Sequence, residues 1–365
     1  MNKPRIVIMA GGTGGHVFPA LAVARYLINN GWEVHWLGTK RGMESRLVPN
    51  AGIPIHYVSV QGLRKTGLWS LFLAPIQLFL ALCQSLKIIF SLKPKVVVGM
   101  GGFVSGPGGV AAWLLRRPLL IHEQNSIAGM TNRLLAMIAD KVLEAFPESF
   151  PTQVKTICTG NPVREELLQL PAPAIRFQGR EGPLRLLVLG GSQGARALNE
   201  LCPLALLGIP AEKQPVVWHQ TGIQSVEKTR QAYQNLGLTA KVEPFIEDMA
   251  AAYAWADLVL CRAGALTIAE LAAVGIGSIL VPYPFAVDDH QTHNGHFLER
   301  VGSATVIQQK VLSAQTLAEM LLEFSADQSR LLQMAEAAYS LAKRDALVQV
   351  ANYCEEIGSH ANKKT

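Results

Sequence analysis

Two stretches of this chain share one design, and together they constrain the fold more than any other feature. Arg5 to Pro19 reads Arg-Ile-Val-Ile-Met-Ala-Gly-Gly-Thr-Gly-Gly-His-Val-Phe-Pro, and Leu184 to Arg196 reads Leu-Arg-Leu-Leu-Val-Leu-Gly-Gly-Ser-Gln-Gly-Ala-Arg. Each opens on a run of large apolar residues, the length of one buried strand. Each continues with Gly-Gly, a hydroxyl residue, a spacer and another glycine. A helix-periodic segment follows, Ala20 to Leu27 in the first copy and Ala195 to Leu207 in the second, where Pro203 is expected to kink or end it. A strand that ends in glycines and opens into a helix leaves backbone N–H groups without partners. Such a turn binds phosphate or another anion. Two copies predict an α/β protein of two Rossmann-like, doubly wound domains facing each other across a cleft.

The rest of the chain fits that division. Strand-like runs at Arg5–Met9, Glu33–Leu37, Ile55–Val58, Lys95–Gly99, Leu119–Glu123, Lys141–Leu143 and Lys155–Thr159 alternate with helical segments. The second half repeats the alternation at Val216–Gln220, Ala240–Glu243, Leu258–Cys261, Ser278–Val281 and Ala304–Ile307. Alternation of this kind argues a parallel sheet covered on both faces. The first domain is placed at 1–164 and the second at 165–340. Pro171-Ala-Pro173 and Gly179–Pro183 form a turn-rich connector. The last helical segments, Asp327–Lys343 and Leu347–Ile357, precede no strand and are expected to pack back across both domains, with 341–365 on the first.

Composition narrows the partners. The 365 residues carry a net charge of +6, which favours an anionic partner. No basic run interleaved with aromatics is present, so nucleic acid is the weakest candidate. Five scattered cysteines without a C-x-x-C pair fit a reducing compartment and no zinc site. The N-terminal apolar run is too short for a cleavable signal.

Ligands in parallel sheets sit at the carboxyl ends of strands, so the residues after each strand deserve scrutiny. Gly99 to Gly109 is more than half glycine, which lets a ligand or another backbone come close. His122-Glu123-Gln124-Asn125-Ser126 puts several functional side chains at one strand end, although Asn125 and Ser126 could instead cap a helix near Ala128. Asp248 reads as the N-cap of Met249–Trp255. Gly264 precedes a helix beginning at Ala265 and Leu266, with Glu270 one turn inside. A helix start for a diphosphate with a carboxylate one turn along for a ribose is an economical nucleotide site. His290, His293 and His296 wrap around a helix rather than gather on one face, and Asp288-Asp289 is not an Asp-x-Asp pair. No metal is expected.

Leu68 to Leu86 carries no charge. Pro75 and a polar stripe of Gln77, Gln84 and Ser91 argue for a docked helix pair over a bilayer span. Arg64, Lys65, Lys87, Lys93 and Lys95 flank the stretch. An apolar surface with a basic rim suits an anionic membrane face, and an ordinary core helix is the alternative.

In combination and order, several motifs resemble the MurG family of peptidoglycan glycosyltransferases, which make lipid II. They are Gly-Gly-Thr-Gly-Gly-His at 11–16, Gly-Gly-Phe-Val-Ser-Gly-Pro at 101–107 and His-Glu-Gln-Asn at 122–125. Gly-Asn-Pro-Val-Arg at 160–164, Gly-Gly-Ser-Gln-Gly-Ala at 190–195, Arg-Ala-Gly-Ala-Leu-Thr at 262–267 and Asp-His-Gln at 289–291 continue the series. The resemblance runs from Ile6 to about Tyr353, and Phe103 stands where the family commonly has tyrosine. It implies the GT-B fold, UDP-N-acetylglucosamine as donor and lipid I, an undecaprenyl-diphosphate muramyl pentapeptide, as acceptor. It also implies an inverting β-1,4 transfer without metal or cofactor, on the cytoplasmic face of the inner membrane, with peripheral attachment.

By that resemblance Ile246 reads uracil through its backbone, Glu270 holds the ribose, and Gln291 and Asn125 contact the sugar. Ser192, Arg164 and the helix start Ala265, Leu266, Thr267, Ile268 and Ala269 surround the nucleotide. Thr13, Gly14 and Gly15 line the facing edge, and Gly102, Ser105 and Gly106 meet the acceptor diphosphate. Single displacement needs a base on the acceptor hydroxyl, and histidine titrates near operating pH. His16 is the first choice, its alternative being a phosphate-orienting role; His122 and Glu123 are runners-up. A UDP-sugar epimerase of the same architecture is the alternative function. A dinucleotide oxidoreductase is disfavoured because neither domain opens with the full fingerprint, and a silent lipid-carrier binding protein would not need Glu270.

Overall fold

The computed structural model describes residues 3–60, 68–191 and 194–360, without the side chains of 68–73, 287 and 360. Arg64, Lys65 and Ser192 lie outside the described residues. The chain divides into two compact units: Met1–Val163 with Lys343–Thr365, and Arg164–Ala342.

The first unit holds a seven-stranded parallel sheet. Its strands are β1 (Arg5–Met9), β2 (Glu33–Gly38), β3 (Ile55–Tyr57), β4 (Val96–Gly99), β5 (Leu119–Glu123), β6 (Lys141–Glu144) and β7 (Ile157–Cys158), in the spatial order β3-β2-β1-β4-β5-β6-β7. Both faces are covered, which is why β1 and β4 are continuous apolar runs rather than alternating ones. Ile6 and Ile8 pack with Leu21, Leu27, Val350 and Cys354 on one face. Val7 and Met9 pack with Ala81, Ile89 and Ala111 on the other.

The second unit repeats the plan with six strands. They are β8 (Arg185–Leu189), β9 (Val216–Gln220), β10 (Ala240–Glu243), β11 (Leu258–Cys261), β12 (Gly277–Leu280) and β13 (Ala304–Val306), in the order β10-β9-β8-β11-β12-β13. Each sheet reverses its winding beside its first strand, at β1/β4 and at β8/β11. The helix Ala346–His360 packs on Gly14–Asn29 in the first unit, whereas Gln328–Ser340 packs on Ala265–Val274 in the second.

Three elements differ from expectation. The first helix spans Gly14–Asn29, so it begins inside the glycines, six residues early, and runs through Pro19. Glycine at the first turn leaves room for this, and Thr13 takes the extended N-cap conformation. Pro203 likewise stays inside Arg196–Leu207 without ending it. The expected helix pair is instead one continuous helix, Leu68–Leu92, with Pro75 inside. Within it Ala74–Leu92 is long and apolar enough to cross a bilayer by length and composition, yet only 17% of that stretch is buried. Ala74, Ala81, Ser85 and Ile89 face the domain, and Gln84 accepts from Ser59 N at 2.8 Å. Ile76, Phe79, Leu80 and Phe90 are exposed.

Candidate active site

The switch points bring the glycine motifs together within each unit. In the first, the chain after β1 meets the chain after β4. Met100 N donates to Met9 O at 2.8 Å. Gly102 has φ +85°, and a Cβ there would lie 2.4 Å from Gly11 O. A Cβ on Gly101 would lie 2.4 Å from His16 Nδ1. Only glycine lets these two loops touch.

A buried carboxylate holds the first loop from below. Glu44 is fully buried and accepts from Gly12 N at 3.0 Å, Thr39 N at 3.0 Å and Thr39 Oγ1 at 2.7 Å. Thr13 is exposed and makes no side-chain cap bond, so it leaves the first-turn N–H groups uncapped by its hydroxyl. Ser105 departs from its expected diphosphate contact. It is fully buried and donates to Met9 O at 3.2 Å and Gly101 O at 3.0 Å, which locks the glycine loop rather than addressing a ligand. Gly102 and Gly106 remain partly accessible, and Phe103 is exposed.

His16 is partly accessible and donates from Nδ1 to Gln124 Oε1 at 2.8 Å. Gln124 Nε2 in turn donates to His122 Nδ1 at 3.0 Å, and His122 Nε2 donates to Gly160 O at 3.0 Å. His122 is fully buried, and burial pushes its pKa down to about 4. Glu123 is buried too, and its carboxylate accepts from Asn125 N, Asn125 Nδ2, Gly129 N and Asn132 Nδ2 at 2.8–3.1 Å. Neither runner-up base reaches solvent, because both are spent on holding the loop after β5. Asn125 is therefore tied back to Glu123, and the next helix, Met130–Leu135, is capped by Gly129 rather than by Asn125 or Ser126.

In the second unit, Gly264 is the N-cap of Ala265–Val274, so Ala265, Leu266 and Thr267 make up the first turn of that helix. Ile268 is fully buried in the helix and Ala269 partly accessible. Glu270 is buried; Arg164 Nη2 reaches its Oε1 at 3.0 Å and Tyr253 OH its Oε2 at 3.2 Å. Burial raises the Glu270 pKa and the Arg164 guanidinium opposes that rise. Each carboxylate oxygen keeps a further lone pair for a second donor. Ile246 N donates to Gln220 Oε1 at 2.9 Å. Gln291 Oε1 accepts from Tyr283 N at 2.9 Å. Asp248 caps Met249–Trp255 as expected, accepting from Ala251 N at 2.8 Å. Among the described residues, no group of three or more His, Cys, Asp or Glu is arranged to hold a metal.

Sequence reasoning missed Glu44, Gln220, Tyr253 and the work of Gln124. It also missed Arg262, which grips Val281 O, Pro282 O and Gln309 Oε1 and so fixes the loop after β12. Only Gln124 and Arg262 stood inside recognisable motifs; the others lie in segments without a local signature.

Twin doubly wound domains with glycine-lined strand ends at both switch points are the architecture of GT-B nucleotide-sugar transferases. Residues 6–144 match the glycosyltransferase family 28 N-terminal domain and residues 185–350 the family 28 C-terminal domain. The chain is 54% identical to the UDP-N-acetylglucosamine–N-acetylmuramyl-(pentapeptide) pyrophosphoryl-undecaprenol N-acetylglucosamine transferase of Marinobacter nauticus, over 97% of this chain and 98% of that one. It is 51% identical to the enzyme of the same name from Coxiella burnetii, over 96% and 98%. The crystal structure of Acinetobacter baumannii MurG superposes with a TM-score of 0.84 at 41% identity, covering 97% of this chain and 99% of that one. The chain belongs to glycosyltransferase family 28.

Proposed function

We infer that this chain moves N-acetylglucosamine from UDP-N-acetylglucosamine to the muramyl 4-hydroxyl of undecaprenyl-diphosphate-linked MurNAc-pentapeptide, converting lipid I to lipid II in peptidoglycan synthesis. The observation that carries this is end-to-end identity above one half with relatives bearing that name. The transfer is a single displacement with inversion. His16 takes the proton of the acceptor hydroxyl as that oxygen attacks the anomeric carbon. Departing UDP is met by the helix start at Ala265–Thr267 and by Arg164. Glu270 holds the ribose, the Ile246 carbonyl meets the uracil, and Gln291 and Asn125 orient the sugar. Ser192 belongs to the same nucleotide set. Thr13, Gly14 and Gly15 contact the donor from the facing edge, and the N–H groups around Gly102 and Gly106 meet the acceptor diphosphate. No step requires a metal or cofactor.

The first domain attaches to the cytoplasmic face of the inner membrane, peripherally. The support is an apolar face: exposed Phe79, Leu80 and Phe90, then Trp113 and Leu114 on the neighbouring helix Ser105–Leu114, then Met130, Leu134 and Met137 beside it. Exposed Lys87, Lys93, Arg116 and Arg133 rim these helices. Apolar side chains dip shallowly while the cations meet anionic headgroups.

UDP release from UDP-N-acetylglucosamine, with and without a soluble lipid I analogue, tests the activity. Release that depends on the analogue and persists in EDTA is expected. Conversion of the UDP-sugar without the analogue would mean an epimerase.

A further inference from the structure

We propose that Gln124 is a positioning residue that fixes which nitrogen of His16 carries the proton, so that the Nε2 lone pair is kept for the acceptor hydroxyl. This rests on His16 as the base. The constraint begins at a backbone carbonyl. Gly160 O can only accept, so His122 Nε2, 3.0 Å away, carries a proton. Buried and with its pKa pushed down to about 4, the His122 ring is neutral at physiological pH and has no second N–H. His122 Nδ1 is therefore an acceptor, and the atom 3.0 Å from it is the amide nitrogen of Gln124. The same nitrogen also donates to His122 O at 3.2 Å, and Asn161 Nδ2 holds Gln124 O at 2.9 Å.

With its nitrogen committed, Gln124 turns Oε1 toward His16 Nδ1 at 2.8 Å. An amide oxygen only accepts, so neutral His16 carries its proton on Nδ1 and presents a bare Nε2. In the transfer, the acceptor oxygen bonds to the anomeric carbon and the bond from that carbon to UDP breaks. The acceptor proton passes to His16 Nε2, and UDP leaves with the electron pair. The imidazolium keeps its Nδ1–H on Gln124, so the relay needs no rearrangement during the step. Among the described residues, the other ionisable groups around the relay are the Glu123 carboxylate, spent on four loop donors, and Cys158 and Lys343 beside Gly160.

The test labels the protein with 15N-histidine and reads ring protonation by NMR, assigning His16 by its loss in His16→Ala. The expected wild-type signal is a protonated Nδ1 and a bare Nε2. Gln124→Met keeps the bulk and removes the amide. It should mix the tautomers and lower kcat about tenfold or more, with the dissociation constant for UDP-N-acetylglucosamine unchanged. Gln124→Glu, ionised, still accepts from His16 Nδ1 but gives up the donation to His122. It should keep the proton on Nδ1, recover kcat at alkaline pH and move the acid limb of kcat/KM to higher pH, because a carboxylate stabilises the imidazolium. A wild-type His16 protonated on Nε2, or a folded Gln124→Met with an unchanged His16 signal and rate, overturns the proposal. If Gln124→Met fails to fold, the wild-type signal and the Gln124→Glu profile decide. Full turnover in His16→Ala overturns the base itself, a result separate from the tautomer.

Discussion

The two glycine-bearing turns start from nearly the same sequence and end as different devices. After β1, the turn is braced by side chains, Glu44 below and the Gln124–His122 relay beside it, and it carries a titratable ring at its accessible edge. After β8, the brace is neutral, a backbone carbonyl held by an asparagine side chain. A Cβ on Gly194 would lie 2.2 Å from Thr221 O, and Asn199 Nδ2 donates to that same carbonyl at 3.0 Å. His219 stands behind Asn199, bonded to its Oδ1 at 3.0 Å and to Tyr233 OH at 2.9 Å. The fold supplies the same strand-to-helix opening twice. The side chains around it differ: a buried carboxylate and a histidine ring at the first, an asparagine backed by a buried histidine at the second.

The largest expected effect sharpens the likeness in the two supports. Burial pushes His122 down to about 4 and His219 down to about 3 from an ordinary 6.5. Unfolding restores the ordinary value, so below about pH 6.5 the unfolded chain binds more protons than the folded one. Each histidine then removes about 1.4 kcal/mol of stability per pH unit until its folded pKa is reached. The stability is intact above about pH 6.5 and lost as pH falls from there toward 4 in the first unit and toward 3 in the second. Urea midpoints measured from pH 7 to pH 4 should fall steeply. A flat profile would mean that these rings are charged in the folded state.

The unlike brace gives a somewhat smaller effect. Glu44→Ala strands Gly12 N, Thr39 N and Thr39 Oγ1, and should cost the first unit about 3 kcal/mol. Hydrogen exchange should speed up around the first glycine turn and leave β8 to β13 unchanged. Equal acceleration in both units would contradict the separate bracing.

The smallest effect concerns the outer face, which only the first unit is expected to offer to lipid. Replacing exposed Phe79 or Trp113 by Ser should weaken binding to anionic vesicles by about 1–2 kcal/mol per side chain, with the melting temperature little changed. Added salt should weaken it further. Binding that withstands high salt and alkaline carbonate would mean that Leu68–Leu92 spans the bilayer.

How much could be read from the sequence follows from where each signal lives. Strand runs, glycine openings and the Asp248 cap are local, so β1, β8 and Met249–Trp255 were legible. The start of the first helix was not, because glycines that permit a turn equally permit a first helical turn. In the sequence Pro75 suggests a break, yet the helix continues through it. The brace and the relay were hidden for another reason. Glu44 reaches back 32 residues to Gly12, and His16 meets Gln124 across 108 residues. Such contacts are made by the sheet order, and a buried Glu or Gln in a polar segment looks like any other. Ser105 shows the converse: a serine in a glycine loop resembles a ligand contact until its hydroxyl is found turned inward.

The division of labour between the turn after β1 and the helix start after β11 is tested most directly by His16→Ala and Glu270→Ala measured side by side, with UDP affinity from titration calorimetry and the transfer rate at saturating substrates. His16→Ala should lose about a hundredfold or more in turnover and bind UDP as the wild type does. Glu270→Ala should bind UDP more weakly by about 1.5–3 kcal/mol. A folded Glu270→Ala with undiminished UDP affinity, or a His16→Ala whose loss lies in UDP binding and not in turnover, would contradict the account.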